Sequence, residues 1–254
     1  MQESLKNESI YVIGFPKSGN TWLTRLLADS LKMRVGIGMN GLDKDEIATD
    51  VNTRLNLPFN TIYTIRKTHF LPNQLKKFRG EDVKKGVYIY RDIRDIIVSS
   101  YFYKNKKEKF NKKKFIIYTK NFIEHGWRNI GIWSNHMYKW EKYAKTSNAN
   151  ITFISYELLL KDTITQIKRI INSIKLEIPK DIHLKESVER QSFTSIKKYM
   201  NNLEKDSIPF GKEFNIQFLR KGISGDWEHF FDEKLKKQVS DKYGKLLIEK
   251  GYKI

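Results

Sequence analysis

Ser9-Ile-Tyr-Val-Ile-Gly14-Phe-Pro-Lys17-Ser18-Gly19-Asn20-Thr21-Trp22 is the stretch whose reading decides the fold. The β-branched and aromatic run Ser9 to Gly14 predicts a strand, and the apolar spacing Trp22, Leu23, Leu26, Leu27, Leu31 predicts a helix. Between them lies a tight turn with two glycines. A strand-to-helix turn of this kind lets backbone N–H groups converge on a phosphate, and the helix N-terminus adds partial positive charge. It is not a Walker A loop, in which the lysine directly follows the last glycine; here Lys17 comes two residues before Gly19. Taken alone, the segment is also compatible with Lys17 in an exposed turn.

Working outward, three further strands are expected at Thr61 to Arg66, Gly86 to Tyr90 and Ile151 to Ser155. The first runs into Lys67-Thr68-His69 and a short helix after Pro72. The second runs into Arg91-Asp92 and a helix with Ile93, Ile96, Ile97 and Ser100. The third precedes Tyr156-Glu157 and helical stretches over Leu158 to Ile174. Strands alternating with helices predict an α/β fold, a central and mostly parallel sheet with helices on both faces. Such sheets bind ligands at the C-terminal ends of their strands, and Lys17, His69, Arg91 and Tyr156 each follow one. No Pro/Gly/Ser-rich linker or repeat interrupts the chain, so residues 1–254 are expected to form a single domain.

With no cysteine, disulfides, thiolate metal sites and a cysteine nucleophile are excluded. No apolar run approaches the ~20 residues of a membrane span, and the first residues lack the order of a signal peptide. A cytoplasmic protein with no membrane partner is expected. Lys and Arg number 48 against 29 Asp and Glu, a formal charge of +19 that favours anionic partners. Nucleic acid is one such partner. The lysines are nevertheless scattered through a chain also rich in Asn and Ile, and runs such as Lys112-Lys-Lys114 read as surface charge beside a loop.

Pro-Lys-Ser-Gly-Asn-Thr-Trp resembles the 5′-phosphosulfate loop of the cytosolic-type sulfotransferases that use 3′-phosphoadenosine-5′-phosphosulfate (PAPS), with Asn20 where the family commonly has Thr. Three later segments extend the resemblance. Tyr90-Arg91-Asp92-Ile93 through Ser99 is similar to the family's 3′-phosphate segment, with Ile93 in place of the usual Pro. Arg220-Lys221-Gly222-Ile-Ser-Gly225-Asp226-Trp227 is similar to the late R-K-G-x-x-G-D-W signature, the most specific match in the chain. Lys67-Thr68-His69, then Leu71-Pro72, resembles the K-T-H-x-P region, with Phe70 inserted. Ile154-Ser155-Tyr156-Glu157-Leu158 and Ser192-Phe193 resemble two further family segments; Trp22 and Phe193 are equally compatible with an ordinary core.

The resemblance implies a P-loop nucleotide-kinase-like sulfotransferase fold and transfer of a sulfuryl group from PAPS to a hydroxyl or amine of a small-molecule acceptor, releasing adenosine 3′,5′-bisphosphate (PAP). It implies His69 as general base, Lys67 steadying the bridging oxygen, and Lys17 with Ser18, Gly19, Asn20 and Thr21 at the 5′ end. Arg91, Ser99, Arg220, Lys221 and Gly222 are implied for the 3′-phosphate, and Trp22, Tyr156, Ser192 and Phe193 for the adenine. No metal is expected. His125, His136, His183 and His229 lie in helical or late stretches without the company that His69 has. A P-loop nucleotide kinase and a basic nucleic-acid binder are the alternatives; no nucleic-acid reading motif supports the second. The acid-rich stretch Gly41 to Asp50 suggests a cationic acceptor, and the stretch after Trp227 does not reproduce the dimer pattern of many relatives.

Overall fold

The computed structural model describes residues 8–36, 63–105, 108–177, 183–202 and 220–254. The chain begins with β1 (Glu8–Ile13), α1 (Asn20–Ser30), β2 (Arg34–Gly36), β3 (Tyr63–Thr68), α2 (Pro72–Arg79) and β4 (Lys85–Tyr90). Then follow α3 (Ile93–Lys104), α4 (Lys112–His125), α5 (Trp133–Thr146), β5 (Asn150–Ser155), α6 (Tyr156–Lys161) and α7 (Thr163–Ser173). Last come α8 (Leu184–Arg190), α9 (Phe193–Asn202), a 3-10 turn (Asp226–His229) and α10 (Glu233–Glu249).

The five strands lie in the order β2-β3-β1-β4-β5, and every pairing is parallel. Alternation along the strands feeds two cores. Ile10 and Val12 of β1 join Val87 and Ile89 of β4 under α1 and α7. Tyr11, Ile13 and Tyr88 face the other way, against apolar residues of α3, α4, α5 and α10. Burial on both faces is what makes these strands continuously apolar. The expected α/β architecture is therefore observed.

The chain leaves β1 for β2 on one side and leaves the neighbouring β3 for β4 on the other, so the connections part at the C-terminal ends of these two strands. The crevice of a doubly wound sheet opens there. Two details differ from the sequence reading. β3 continues through Lys67 and Thr68, which pair with Val12 and Ile13; residues 61 and 62 lie outside the described residues. The three-residue strand β2 was not expected; it has too little length for a periodic signal and takes its place by pairing with Thr64 to Arg66. Lys112 to Lys114 form the exposed first turn of α4, capped by the Asn111 side chain, and so lie on the surface beside the loop that precedes the helix, as expected. The stretch Gly41 to Asp50 lies outside the described residues.

Candidate active site

The turn after β1 is held by its own polar groups. Ser18 N–H donates to Phe15 O at 3.2 Å. The Asn20 amide, oriented by its partners, accepts from Gly14 N at 2.9 Å and donates to Phe15 O at 3.3 Å. Asn in place of Thr thus ties the turn together. Lys17 sits in the left-handed region at φ 72°, a strained conformation for a residue with a Cβ and one that concentrates at functional turns. Its ammonium lies 4.3 Å from the centre of the Tyr103 ring.

A cleft of about 850 Å³, counting its open mouth, spreads from this turn over the sheet edge. Of the residues picked out in the sequence, Lys17, Gly19, Asn20, Thr21, Trp22 and His69 line it from the β1 and β3 side. Arg91, Ser99, Tyr156, Phe193, Arg220, Lys221 and Gly222 line it from later segments. Three do not line it. Lys67 reaches from β3 to Thr21 Oγ1 at 3.2 Å. The Ser18 hydroxyl is fully buried beneath the turn without a hydrogen-bond partner. Ser192 caps α9, accepting from Ser195 N at 3.2 Å.

His69 is fixed from several directions. Its Nδ1 lies 2.7 Å from Gly14 O; a carbonyl only accepts, so Nδ1 carries the proton and Nε2 keeps the lone pair. Burial first, and then the Lys67 charge, hold the imidazole at about 3, so it is neutral near pH 7. Phe70 N–H donates to Thr68 Oγ1, and Trp140 Nε1 donates to Phe70 O at 3.1 Å. His136 lies in a helix, as read from the sequence, but folding gives it partners that the sequence did not reveal. It is fully buried on α5, with Nε2 3.0 Å from His69 O and Nδ1 2.8 Å from the Tyr88 hydroxyl.

On the opposite side, one guanidinium joins three parts of the chain. Arg91 donates through Nη2 to Ile223 O at 2.8 Å and to Asp95 Oδ2 at 3.3 Å, and through Nη1 to Lys17 O at 3.5 Å. Asp95 also accepts from Gly225 N and Trp227 N at 2.8 and 3.0 Å, which builds the turn after the glycine-rich segment. Arg220 and Lys221 converge on the buried Asp226 carboxylate, at 2.5 and 2.6 Å. Both arginines keep a buried Nε without a hydrogen-bond partner. Gly222 has φ +67°, and a Cβ there would stand 2.6 Å from the Phe193 ring, so the segment can lie against α9 only as glycine.

At the third corner, Trp22 and Tyr156 meet edge to face, with ring centres 5.8 Å apart, and Trp22 Nε1 donates to Gln191 O at 2.9 Å. Arg25, Ile196 and Ile223 also line the cleft and were missed in the sequence. Arg25 stands one helical turn beyond Trp22 on α1, which is the signal that would have found it. Asp95 and Asp226 were missed as well, because nothing in a one-dimensional pattern says which carboxylate will organise a cation.

Cationic and N–H donors at two places, with aromatic rings between, suit a planar ligand carrying two anionic groups. Unsatisfied buried donors on Arg91 and Arg220 fit the same ligand. Among the described residues no group of three or more His, Asp or Glu gathers at metal-binding distance, and no helix is long and apolar enough to cross a membrane.

Fold and site together define an α/β protein with a cleft lined by cationic side chains at the switch point of a parallel sheet. The chain belongs to the sulfotransferase family: the family's sulfotransferase domain matches residues 7–251, so it is an enzyme of the sulfotransferase class, as the resemblance implied. Mouse sulfotransferase 1E1 is 24% identical over 249 residues, covering 93% of this chain and 82% of that protein. Human sulfotransferase 2A1 is 28% identical, covering 89% and 80%, and flavonol 4′-sulfotransferase of Flaveria chlorifolia is 26% identical, covering 98% and 81%. Among solved structures, mouse sulfotransferase SULT7A1 complexed with PAP superimposes with a TM-score of 0.66 at 18% identity, covering 95% of this chain and 84% of that one. Retinol dehydratase with androsterone and PAP gives 0.61 at 20% identity, covering 97% and 82%.

Proposed function

We propose that this enzyme transfers the sulfuryl group of PAPS to a hydroxyl or amine of a small-molecule acceptor, with His69 as general base. The observation that carries the reading is the Nδ1 hydrogen bond of His69 to Gly14 O, which leaves Nε2 as the basic nitrogen of a ring lining the cleft beside Lys17. PAPS, when bound, supplies an activated sulfuryl group on its 5′-phosphate. His69 Nε2 takes the acceptor's proton as the oxygen or nitrogen attacks. Lys17 and the N–H groups of the turn stabilise negative charge gathering on the 5′ side, and Lys67, bonded to Thr21, braces that end of the helix. Arg91, Ser99, Arg220, Lys221 and Gly222 hold the 3′-phosphate, far from the bond that breaks, which orients the donor and selects it over ATP. Trp22, Tyr156 and Phe193 enclose the adenine.

Two measurements test this. Thermal shift should respond to adenosine 3′,5′-bisphosphate more than to ATP with Mg²⁺; the reverse order would favour a nucleotide kinase. PAPS consumption across phenols, aliphatic alcohols, amines and sugars should reveal an acceptor. His69→Ala should then lose most turnover while binding the bisphosphate normally, and full turnover in that variant would remove His69 from the mechanism.

A further inference from the structure

We propose that His136 is a positioning residue for the reaction, holding His69 in register through its main chain; this rests on the reading of His69 as the base. His69 follows β3, in the short connection to α2, where no strand or helix ladder ties its carbonyl. His136 supplies the missing partner: its Nε2 lies 3.0 Å from His69 O. One turn further along α5, Trp140 Nε1 bonds Phe70 O at 3.1 Å. The i and i+4 residues of one helix therefore grip two consecutive carbonyls of the connection that carries the base.

The imidazole is specified at both nitrogens. The carbonyl of His69 requires a proton on His136 Nε2, so Nδ1 is an acceptor, and the Tyr88 hydroxyl donates to it at 2.8 Å. Tyr88 is itself fixed by stacking on Phe153, with ring centres 5.2 Å apart. Phe15, at the start of the phosphate-binding turn, packs its edge on the His136 ring at 5.7 Å. Both His69 and His136 are held neutral chiefly by burial, so the donor to the carbonyl persists through the pH range in which His69 acts as a base.

The two nearest contacts of the reacting side are thereby linked. Gly14 O orients the His69 ring, and His136 orients the His69 backbone, while Phe15 joins the two. A ring needed only for packing would be better served by phenylalanine, since a buried polar group must recover the hydrogen bonds it loses with water. Retention of two polar atoms at a fully buried position marks a geometric duty.

The test compares the parent with His136→Phe, His136→Gln and His69→Ala, using PAPS and the best acceptor from the panel above. His136→Phe keeps the ring volume and removes the donor; kcat should fall about tenfold to hundredfold with the bisphosphate Kd within about twofold, as expected for a misplaced reacting group. His136→Gln places an N–H near the former Nε2 and should recover most of the loss. Long-range proton–nitrogen spectra should show His69 as its Nδ1–H tautomer in the parent, with displaced or broadened signals in His136→Phe. Unchanged turnover and unchanged His69 signals in His136→Phe would overturn the proposal, as would a Gln variant no better than Phe. If His69→Ala stays active, the base assignment falls separately, and the His69 spectra alone decide the positioning. Should His136→Phe not fold, Tyr88→Phe decides: a kcat unchanged from the parent overturns it, and a loss with unaltered nucleotide affinity supports it.

Discussion

Replacing Gly222 with alanine tests the clamp at the point where two segments touch most closely. Its φ of +67° makes any L side chain strained, at roughly 1–2 kcal/mol. The added Cβ would also stand 2.6 Å from Phe193 Cδ2, so ring or segment must retreat by about 0.8 Å to reach the 3.4 Å of ordinary contact. Overpacking of this kind adds about 1–3 kcal/mol. Gly225 provides the control, because it has φ +79° with nothing within 4 Å of its would-be Cβ. Gly225→Ala therefore incurs the backbone strain alone. Both variants should lose a few degrees of Tm, at about 2–4 °C per kcal/mol for a chain of this size, with Gly222→Ala losing more. Calorimetric titration with adenosine 3′,5′-bisphosphate separates them. Gly222→Ala moves two residues that line the cleft and should weaken binding at least about tenfold, or 1.4 kcal/mol, whereas Gly225→Ala should stay within about threefold. Equal affinities for the two variants, or a Gly222→Ala protein binding like the parent, would refute the argument that this contact shapes the site.

Asp95→Ala should leave the Gly225 and Trp227 N–H groups without their acceptor, costing about 1–3 kcal/mol for each that stays buried; a Tm within a degree of the parent would mean that the turn is held elsewhere. Acidification should destabilise the enzyme, since His69 and His136 are held at about 3 and about 4 against an ordinary 6.5. The unfolded chain then binds more protons, so stability present above pH 6.5 is lost as pH falls towards 4, at up to about 1.4 kcal/mol per pH unit for each histidine. Buried Asp92 and Glu157, raised by desolvation, act in the opposite direction; denaturant midpoints at pH 7 and 5 should still show a shallower fall in His136→Gln, and an equal fall would count against the assignment. Phe193→Ala should weaken bisphosphate binding with little change in kcat at saturation, and an unchanged Kd would remove that ring from the nucleotide site.

The fold was legible because β1 and β4 alternate cleanly between the two cores and because the turn at Gly14 to Gly19 has a local signature. The short strand β2 was not, since three residues carry no period and pairing with β3 alone defines them. In the site, Lys17, His69, Arg91 and Arg220 could be found by type and place after a strand or beside a glycine. Their supports could not. Asp95 meets Gly225 and Trp227 across about 130 residues of chain, and His136 meets His69 across 67; such pairs exist only after folding. Arg25 was overlooked for a related reason, because its partner Gln191, at the end of α8, comes beside α1 only after folding.

Arg91 reaches Lys17, 74 residues back, and Ile223, 132 residues ahead. Contacts this distant in the chain close late in folding, after the loop entropy between them has been met. With the 3′-phosphate held at Arg91 as proposed, nucleotide affinity is a property of the finished chain and the nucleotide a structural ligature across it. Bisphosphate at a hundred times its dissociation constant would add about 2.7 kcal/mol to the folded state. The resistance of this enzyme to heat and proteolysis should accordingly rise and fall with the supply of its own sulfuryl donor and its spent product.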